Sequence, residues 1–328
     1  DDLVFDASAA NSQFTIAPGA NRTARGLTFS STGTNGFTFN SGHQIAVKAG
    51  DITNNNTNTQ TFNANVRINS TQTWSAASGD LDFSNVLINR NLTVTGANNI
   101  DIAGTLTVVS NRTLTNNSTG TFSLNDIDLS SNSARLFSIT SSADTTVSGV
   151  ISNAGRIRKL GASTLTLSSA NTYTGDTILS GGTVVTGNNA AFGTSRVDLN
   201  SFTLDGGAAG RVMANETRLN GNFRFGGTAD IELSGNMTLR NNRNLYVDGT
   251  DNYEISGNVF LGDTATDRTL TVRGAGDLTI SGDIQNGTLA SAGRLTKSDA
   301  GTLTLSGTNT YDGVTDINTG TVVITGDN

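Results

Sequence analysis

Apolar and polar residues alternate along almost the whole chain. Leu27-Thr28-Phe29, Val66-Arg67-Ile68, Leu92-Thr93-Val94, Leu165-Thr166-Leu167, Phe223-Arg224-Phe225 and Leu303-Thr304-Leu305 each set two apolar side chains on one face. Period two over three to five residues, bounded by Gly, Asn, Asp or Ser, predicts short half-buried strands, and helical periodicity is almost absent. The segments recur every ~8–12 residues, a spacing that a sandwich, a barrel or a solenoid could produce.

Internal repetition chooses among these. Lys159 to Val185 matches Lys297 to Val323 through TLTLS, NTY and TVV at one offset, 297 − 159 = 138 residues. Weaker pairs keep the same order: Arg90-Asn-Leu-Thr-Val with Arg243-Asn-Leu-Tyr-Val, and Arg112-Thr-Leu-Thr with Arg268-Thr-Leu-Thr. Their offsets drift, as small insertions would make them. A stack of coils absorbs such insertions at its turns, because each coil contacts only its neighbours. The expectation is therefore an all-β parallel β-helix, a β-solenoid of ~20–25 residues per coil and on the order of 13 to 16 coils. Stacked at the strand spacing, these would form an elongated rod ~60–75 Å long. Inward ladders would hold Val, Ile, Leu and Phe. The organisation reads as one continuous solenoid in two segments, 1–190 ending in the first repeat (about 159–185) and 191–328 ending in the second (about 297–323).

Composition narrows the function. Charged residues are 14% and aromatics 6%, with 38 Gly. There is no Cys, which excludes a disulfide framework, a thiolate metal site and a Cys nucleophile. The net charge of −7 shows no basic face of the kind nucleic acid requires. No apolar run approaches a membrane helix. The chain opens on Asp1-Asp2 without a signal peptide, so it is expected to be a processed product or an excised piece of something longer.

The doubled motif, G-T-L-T-L-S-G-x-N-T-Y-x-G with its trailing G-T-V-V, resembles the passenger-associated transport repeat of bacterial autotransporters. In the second copy the resemblance is carried by Thr302, Leu303, Leu305, Asn309, Tyr311, Gly313 and Gly320. In the first it is carried by Thr164, Leu165, Leu167, Asn171, Tyr173, Gly175 and Gly182. Ser163 and Ser169 depart from it, where the family commonly has Gly. The resemblance implies a right-handed parallel β-helix, display outside a Gram-negative-type cell, and an outer-membrane β-barrel translocator elsewhere in the precursor. It carries no catalytic residue across.

Candidate chemistry is sparse. His43 is the single histidine and sits in a turn-like stretch with no nucleophile motif. The pairs Asp80/Asp82, Asp126/Asp128 and Asp248/Asp251 could serve a glycosidase, but alternation alone also puts Asp80 and Asp82 on one outward face. No cofactor is expected. Calcium is the one ion that the Asn-rich and Gly-x-Asp turns could accommodate, although neither the calcium nonapeptide nor an EF-hand loop is present. The chain thus reads as non-catalytic. The first reading is a structural one, a stalk or surface fibre, with copies stacking end to end through Leu3, Val4, Phe5, Val322, Val323 and Ile324, since open coil edges invite pairing. The alternative is an adhesin-type module that recognises glycans or cells through its flank.

Overall fold

The structure is a computed structural model that describes residues 1–5, 14–16 (backbone only), 20–30, 35–287 and 292–326. Every element among them is a β-strand and every strand pairing is parallel, so each chain segment lies on the segment one coil earlier. Contacts divide the chain into two compact units, Asp1–Thr174 and Gly175–Asn328.

In the first unit each coil contributes strands to three ladders. Ladder A runs through eight strands, from Leu3–Phe5 by way of Gln72–Ala76 and Arg112–Asn116 to Arg156–Leu160. Ladder B runs from Phe14–Ile16 through Gln60–Phe62 to Thr164–Leu167, and ladder C from Arg22–Ala24 through Asn65–Ile68 to Ile151–Ser152. Ile100–Val108 and Phe122–Asp128 are long enough to serve both B and C, with a register shift between Ile102 and Thr105. The second unit has its own three ladders. One runs from Thr177–Ser180 to Ile284–Gln285 in six strands, one from Thr183–Thr186 to Thr315–Ile317, and one from Arg211–Met213 to Thr321–Ile324. Both units are therefore parallel β-solenoids, as the alternation and the repeats predict. Coil length varies: Lys159 lies 20 residues after its ladder partner Ile139, and Leu270 lies 27 after Arg243.

Alternation turns directly into columns of like side chains, since parallel register sets inward residues one above another. On ladder B of the first unit the column is Phe39, Phe62, Phe83, Ile102, Leu124, Val147 and Leu167. Phe39 and Phe62 stack at 4.7 Å with 4° between ring planes, and Phe62 and Phe83 also at 4.7 Å. That separation is the strand spacing itself, so ring stacking and the backbone ladder are satisfied together. Trp74 reaches across from ladder A to lie 4.2 Å from Phe83, and its indole N–H donates to Gln72 Oε1 at 2.9 Å. A side chain of this size in full burial contributes roughly 1.5–3 kcal/mol by area.

Corners raise a different problem, because there the backbone leaves the ladder and its N–H groups lose their acceptors. Asn and Asp supply them. Asp51 accepts from Thr73 N (2.7 Å), Asp80 from Asn99 N (2.8 Å), Asn91 from Thr113 N (2.9 Å), and Asp144 from Thr164 N (2.8 Å). The second unit repeats the device at Asp230 with Asn252 N and at Asp277 with Thr302 N. The abundance of Asn and Asp is thus a row of short acceptors, each serving the next coil.

Some corner polar groups turn fully inward. Asn116, with 0% exposure, donates from Nδ2 to Asp144 O (2.7 Å) and accepts at Oδ1 from Ser118 N (3.0 Å). An apolar side chain of the same shape would strand both groups, and an unsatisfied buried polar group costs ~1–3 kcal/mol. Asn116→Leu is therefore expected to lower stability by about 2–4 kcal/mol in denaturant unfolding, despite the added apolar area. A variant as stable as the parent would contradict this assignment.

Candidate functional site

The doubled motif supplies the first site to build. Leu165, Leu167, Leu303 and Leu305 are inward ladder residues with 0–1% exposure, and Thr164 and Thr302 alternate outward. Asn171 Oδ1 accepts from Ile151 N at 2.7 Å, and Asn309 Oδ1 accepts from Ile284 N at 2.9 Å. Both side chains reach back to the preceding coil, opposite in direction to the Asp and Asn acceptors above. Tyr173 is fully buried, whereas Tyr311 is half-buried and its hydroxyl lies 2.5 Å from Thr315 Oγ1. Gly175 is buried, Gly182 and Gly313 are half-buried, and Gly320 is exposed. The two departures from the motif are explained locally. Ser163 Oγ donates to Ser141 O (3.1 Å) and Ser169 Oγ to Ser148 O (2.6 Å), whereas a Cβ at the equivalent Gly301 or Gly307 would collide with the carbonyl of Gly276 or Gly282.

Each repeat also buries a lysine that sequence reasoning missed. Lys159 continues the inward column Gln72, Leu92, Leu114, Ile139, and Lys297 continues Phe223, Leu245, Val272. Both have 0–1% exposure. Lys159 Nζ donates to Leu160 O (3.1 Å) and Gly161 O (3.0 Å), and Lys297 Nζ to Ser298 O (2.9 Å) and Asp299 O (2.8 Å). The corner carbonyls converge because Gly161 and Asp299 take positive φ, 85° and 69°. Gly320 closes over the second ammonium, where a Cβ would sit 2.7 Å from Nζ. The signal was present: in Arg156-Ile-Arg-Lys159 and Arg294-Leu-Thr-Lys297 the alternation puts the lysine on the apolar face. Burial lowers the Lys159 pKa to about 8, with Asp144 opposing, and lowers that of Lys297, with Asp299 and Asp277 opposing.

The other candidates do not assemble into a reaction centre. Asp82 faces Asp101 one coil on, and its pKa is raised, first by burial and then by Asp101 and Asp80. Asp128 accepts from Asn153 Nδ2, and Asp248 pairs with Arg224, which also lies 4.7 Å over the Tyr246 ring. His43 is half-buried, with its Nδ1 enclosed and unpartnered. A concavity of about 840 Å³ in the second unit is lined by Asp176, Asn189, Ser195, Arg196, Val212 and Glu216. Ser195 Oγ donates to Asp176 (2.8 Å), but no histidine completes a triad there, since His43 belongs to the first unit. Among the described residues no three His, Cys, Asp or Glu side chains come together to hold a metal ion. Of the expected end contacts, Leu3, Val4, Val323 and Ile324 are exposed (45%, 68%, 38% and 55%), and Phe5 and Val322 are half-buried.

A second feature that sequence reasoning missed is electrostatic. Residues 1–174 hold 10 Lys and Arg against 10 Asp, so the whole net charge of −7 falls in residues 175–328. Within the first unit Arg90 and Arg112 stand in register on adjacent coils of ladder A, and Arg156 N donates to Arg135 O at 2.8 Å. Burial, and next the charges of Arg90 and Arg135, hold the Arg112 guanidinium below its usual range. Arg67, with the Asn89 amide turned to accept, donates to Asn89 Oδ1 at 2.8 and 2.9 Å and so lies beside Arg90. These five arginines mark the corner between ladders C and A. Their intervals of 23, 22, 23 and 21 residues (67, 90, 112, 135, 156) are a recurrence that the sequence already contained.

The buried lysine gives a pH prediction. Its folded pKa of about 8 lies below the usual 10.5, so between those values the unfolded chain holds a proton that the folded one has released. Stability is therefore expected to rise with pH through that window, by at most about 3 kcal/mol, since the carbonyls favour the charged form and reduce the effect. Unfolding curves of the parent and of Lys159→Met at pH 7.5, 9 and 10.5 (chosen conditions spanning the window) check this. The variant should lose most of the rise, and parallel profiles would refute it.

The comparisons with known proteins agree with this geometry. The family described as Passenger-associated-transport-repeat matches residues 157–186 and 295–324. The Adhesin BmaC autotransporter of Brucella suis biovar 1 (strain 1330) is 37% identical over 93 residues, which is 26% of this chain and 3% of that protein's length. No solved structure matches. Two such repeats, set on parallel β-solenoids, and the partial match to an adhesin autotransporter support an autotransporter passenger with repeats.

Proposed function

We propose that this segment works outside the cell as a non-catalytic part of an adhesin, presenting its solenoid flanks to glycans or to other cells. Passenger homology implies secretion to the cell surface. The observation that carries the reading is that the interior is filled by continuous side-chain columns, so that recognition is left to outward rows and corners. The relative is itself named an adhesin. No nucleophile, base and orienting acid come together among the described residues, and members of the paired carboxylates are engaged elsewhere, Asp80 by Asn99 N, Asp126 by Val150 N and Asp248 by Arg224.

The structural reading, which the sequence put first, becomes the second, and exposed Leu3, Val4, Val323 and Ile324 favour it. Copies stacked end to end would cover these side chains, and so would a further coil of the same polypeptide.

Two measurements separate the readings. Cells displaying the segment are expected to adhere to a host-cell layer several-fold better than cells displaying a scrambled chain, and equal adherence would overturn the adhesin reading. Sedimentation of the purified chain across a concentration series tests stacking: species that lengthen with concentration support it, and one unchanging monomer overturns it.

A further inference from the structure

The arginine corner of the first unit is the strongest feature not accounted for by the fold. Arg67, Arg90, Arg112, Arg135 and Arg156 come one per coil; Arg90 and Arg112 stand in register, so the ladder sets them about one strand separation (~4.8 Å) apart, while Arg67, Arg135 and Arg156 are offset by one to three positions along the chain from their neighbours in the series. Among the described residues none of the five is paired with a carboxylate. The nearest acid on ladder C, Asp128, is engaged by Asn153 Nδ2. Asp80, Asp82, Asp101 and Asp144 belong to ladder B or to the corner leading into it, and Asp51, on the ladder C to ladder A corner itself, accepts from Thr73 N. Arg90 is exposed and the other four are half-buried, with the Nε of Arg112 and of Arg156 enclosed and without any partner.

Neighbouring like charges repel, and among the described residues only neutral amide and carbonyl oxygens are bonded to them. At Arg112 burial, and after it the charges of Arg90 and Arg135, disfavour the charged guanidinium. Arg90 and Arg112 do spend one N–H each on the carbonyls of Asn89 (2.8 Å) and Asn111 (2.5 Å), which fixes their stems at the corner and leaves the rest of each guanidinium fork turned elsewhere. Exposed arginines normally diverge or find acids, whereas these are held in file by the coil repeat. Such a file is complementary to a chain that carries a regular series of anionic groups. Guanidinium forks bind carboxylate and sulfate in the same bidentate way.

We propose that this corner is a binding ridge for a linear acidic polysaccharide, laid along the solenoid so that successive arginines meet successive anionic groups. The alternative polyanion, nucleic acid, is disfavoured by the same corner. Single strands are held on aromatic platforms, and no aromatic side chain is exposed beside these arginines, Phe137 being buried. The ridge deepens the adhesin reading by naming the class of ligand, and rests on it only for where that ligand is met.

The purified chain is titrated with heparin, with alginate, with uncharged dextran and with duplex DNA at several salt concentrations. Heparin and alginate carry the shared chemistry from two sources, sulfated matrix chains and bacterial-type polyuronates, and the tighter of the two identifies the source. Arg90→Gln/Arg112→Gln/Arg135→Gln is expected to weaken binding at least ten-fold and to flatten its dependence on salt. Arg211→Gln/Arg218→Gln/Arg224→Gln removes the same charge from the second unit, away from its own arginine series Arg243, Arg268 and Arg294, and should leave binding within two-fold. Should the first triple variant unfold, Arg90→Gln alone, at an exposed position, should still weaken binding two- to three-fold. Equal losses in both triple variants, no binding of the parent at low salt, or tighter binding to DNA than to either acidic polysaccharide would overturn the ridge. Cell adherence that persists in the folded ridge variant sinks the ridge as the adhesive surface but leaves the adhesin reading intact. Polysaccharide binding without cell adherence does the reverse.

Discussion

Everything in this molecule depends on the parallel backbone ladder between one coil and the next. The ladder fixes the distance between equivalent residues, and it fixes it for every kind of residue at once. Inward phenylalanines stack at 4.7 Å because their strands do. Threonines line outward faces in files, and arginines line a corner. The sequence does not need to encode three-dimensional proximity position by position. It needs only to return the same type of side chain after each coil, and small changes in coil length are taken up at the turns.

Where the ladder is interrupted, side chains take over its work. The corner acceptors are short Asn and Asp side chains. The inward-turned Asn116 and the two lysines are the same solution applied inside. A lysine at an inward position is costly to desolvate, yet each ammonium finds corner carbonyls that would otherwise lack donors. That exchange ties the two repeats together chemically, although Lys159 and Lys297 stand in columns of different composition.

Much of this was legible in the sequence. Alternation such as Leu165-Thr166-Leu167 gave both the strand and the side that is buried, and the doubled motif separated a solenoid from a sandwich. The burial of Lys159 was not read: the alternation Arg156-Ile-Arg-Lys points it inward, but an inward lysine is acceptable only if carbonyls await it, and a positive-φ corner cannot be read from residue types alone. The arginine corner was hidden by averaging. A net charge of −7 for the chain conceals a first unit that is balanced overall and segregated locally. The spacing of Arg67, Arg90, Arg112, Arg135 and Arg156 was in the sequence, but coil length drifts, and only the ladder register shows that Arg90 and Arg112 are level and the others offset.

The corner acceptors also give the stack a polarity. At Thr73, Asn99, Thr113 and Thr164 the backbone of the later coil leans on a side chain of the earlier one. A finished coil is thus a complete template for the chain that follows it, offering both ladder groups and waiting acceptors, whereas a coil without its predecessor has neither. Growth toward the C-terminus needs nothing that is not already in place. A few side chains lean the other way, Gln60 to Phe37 N and, in the repeats, Asn171 to Ile151 N and Asn309 to Ile284 N. Each repeat is thus also a latch, holding the coil beneath it by a side chain of its own as well as by the ladder.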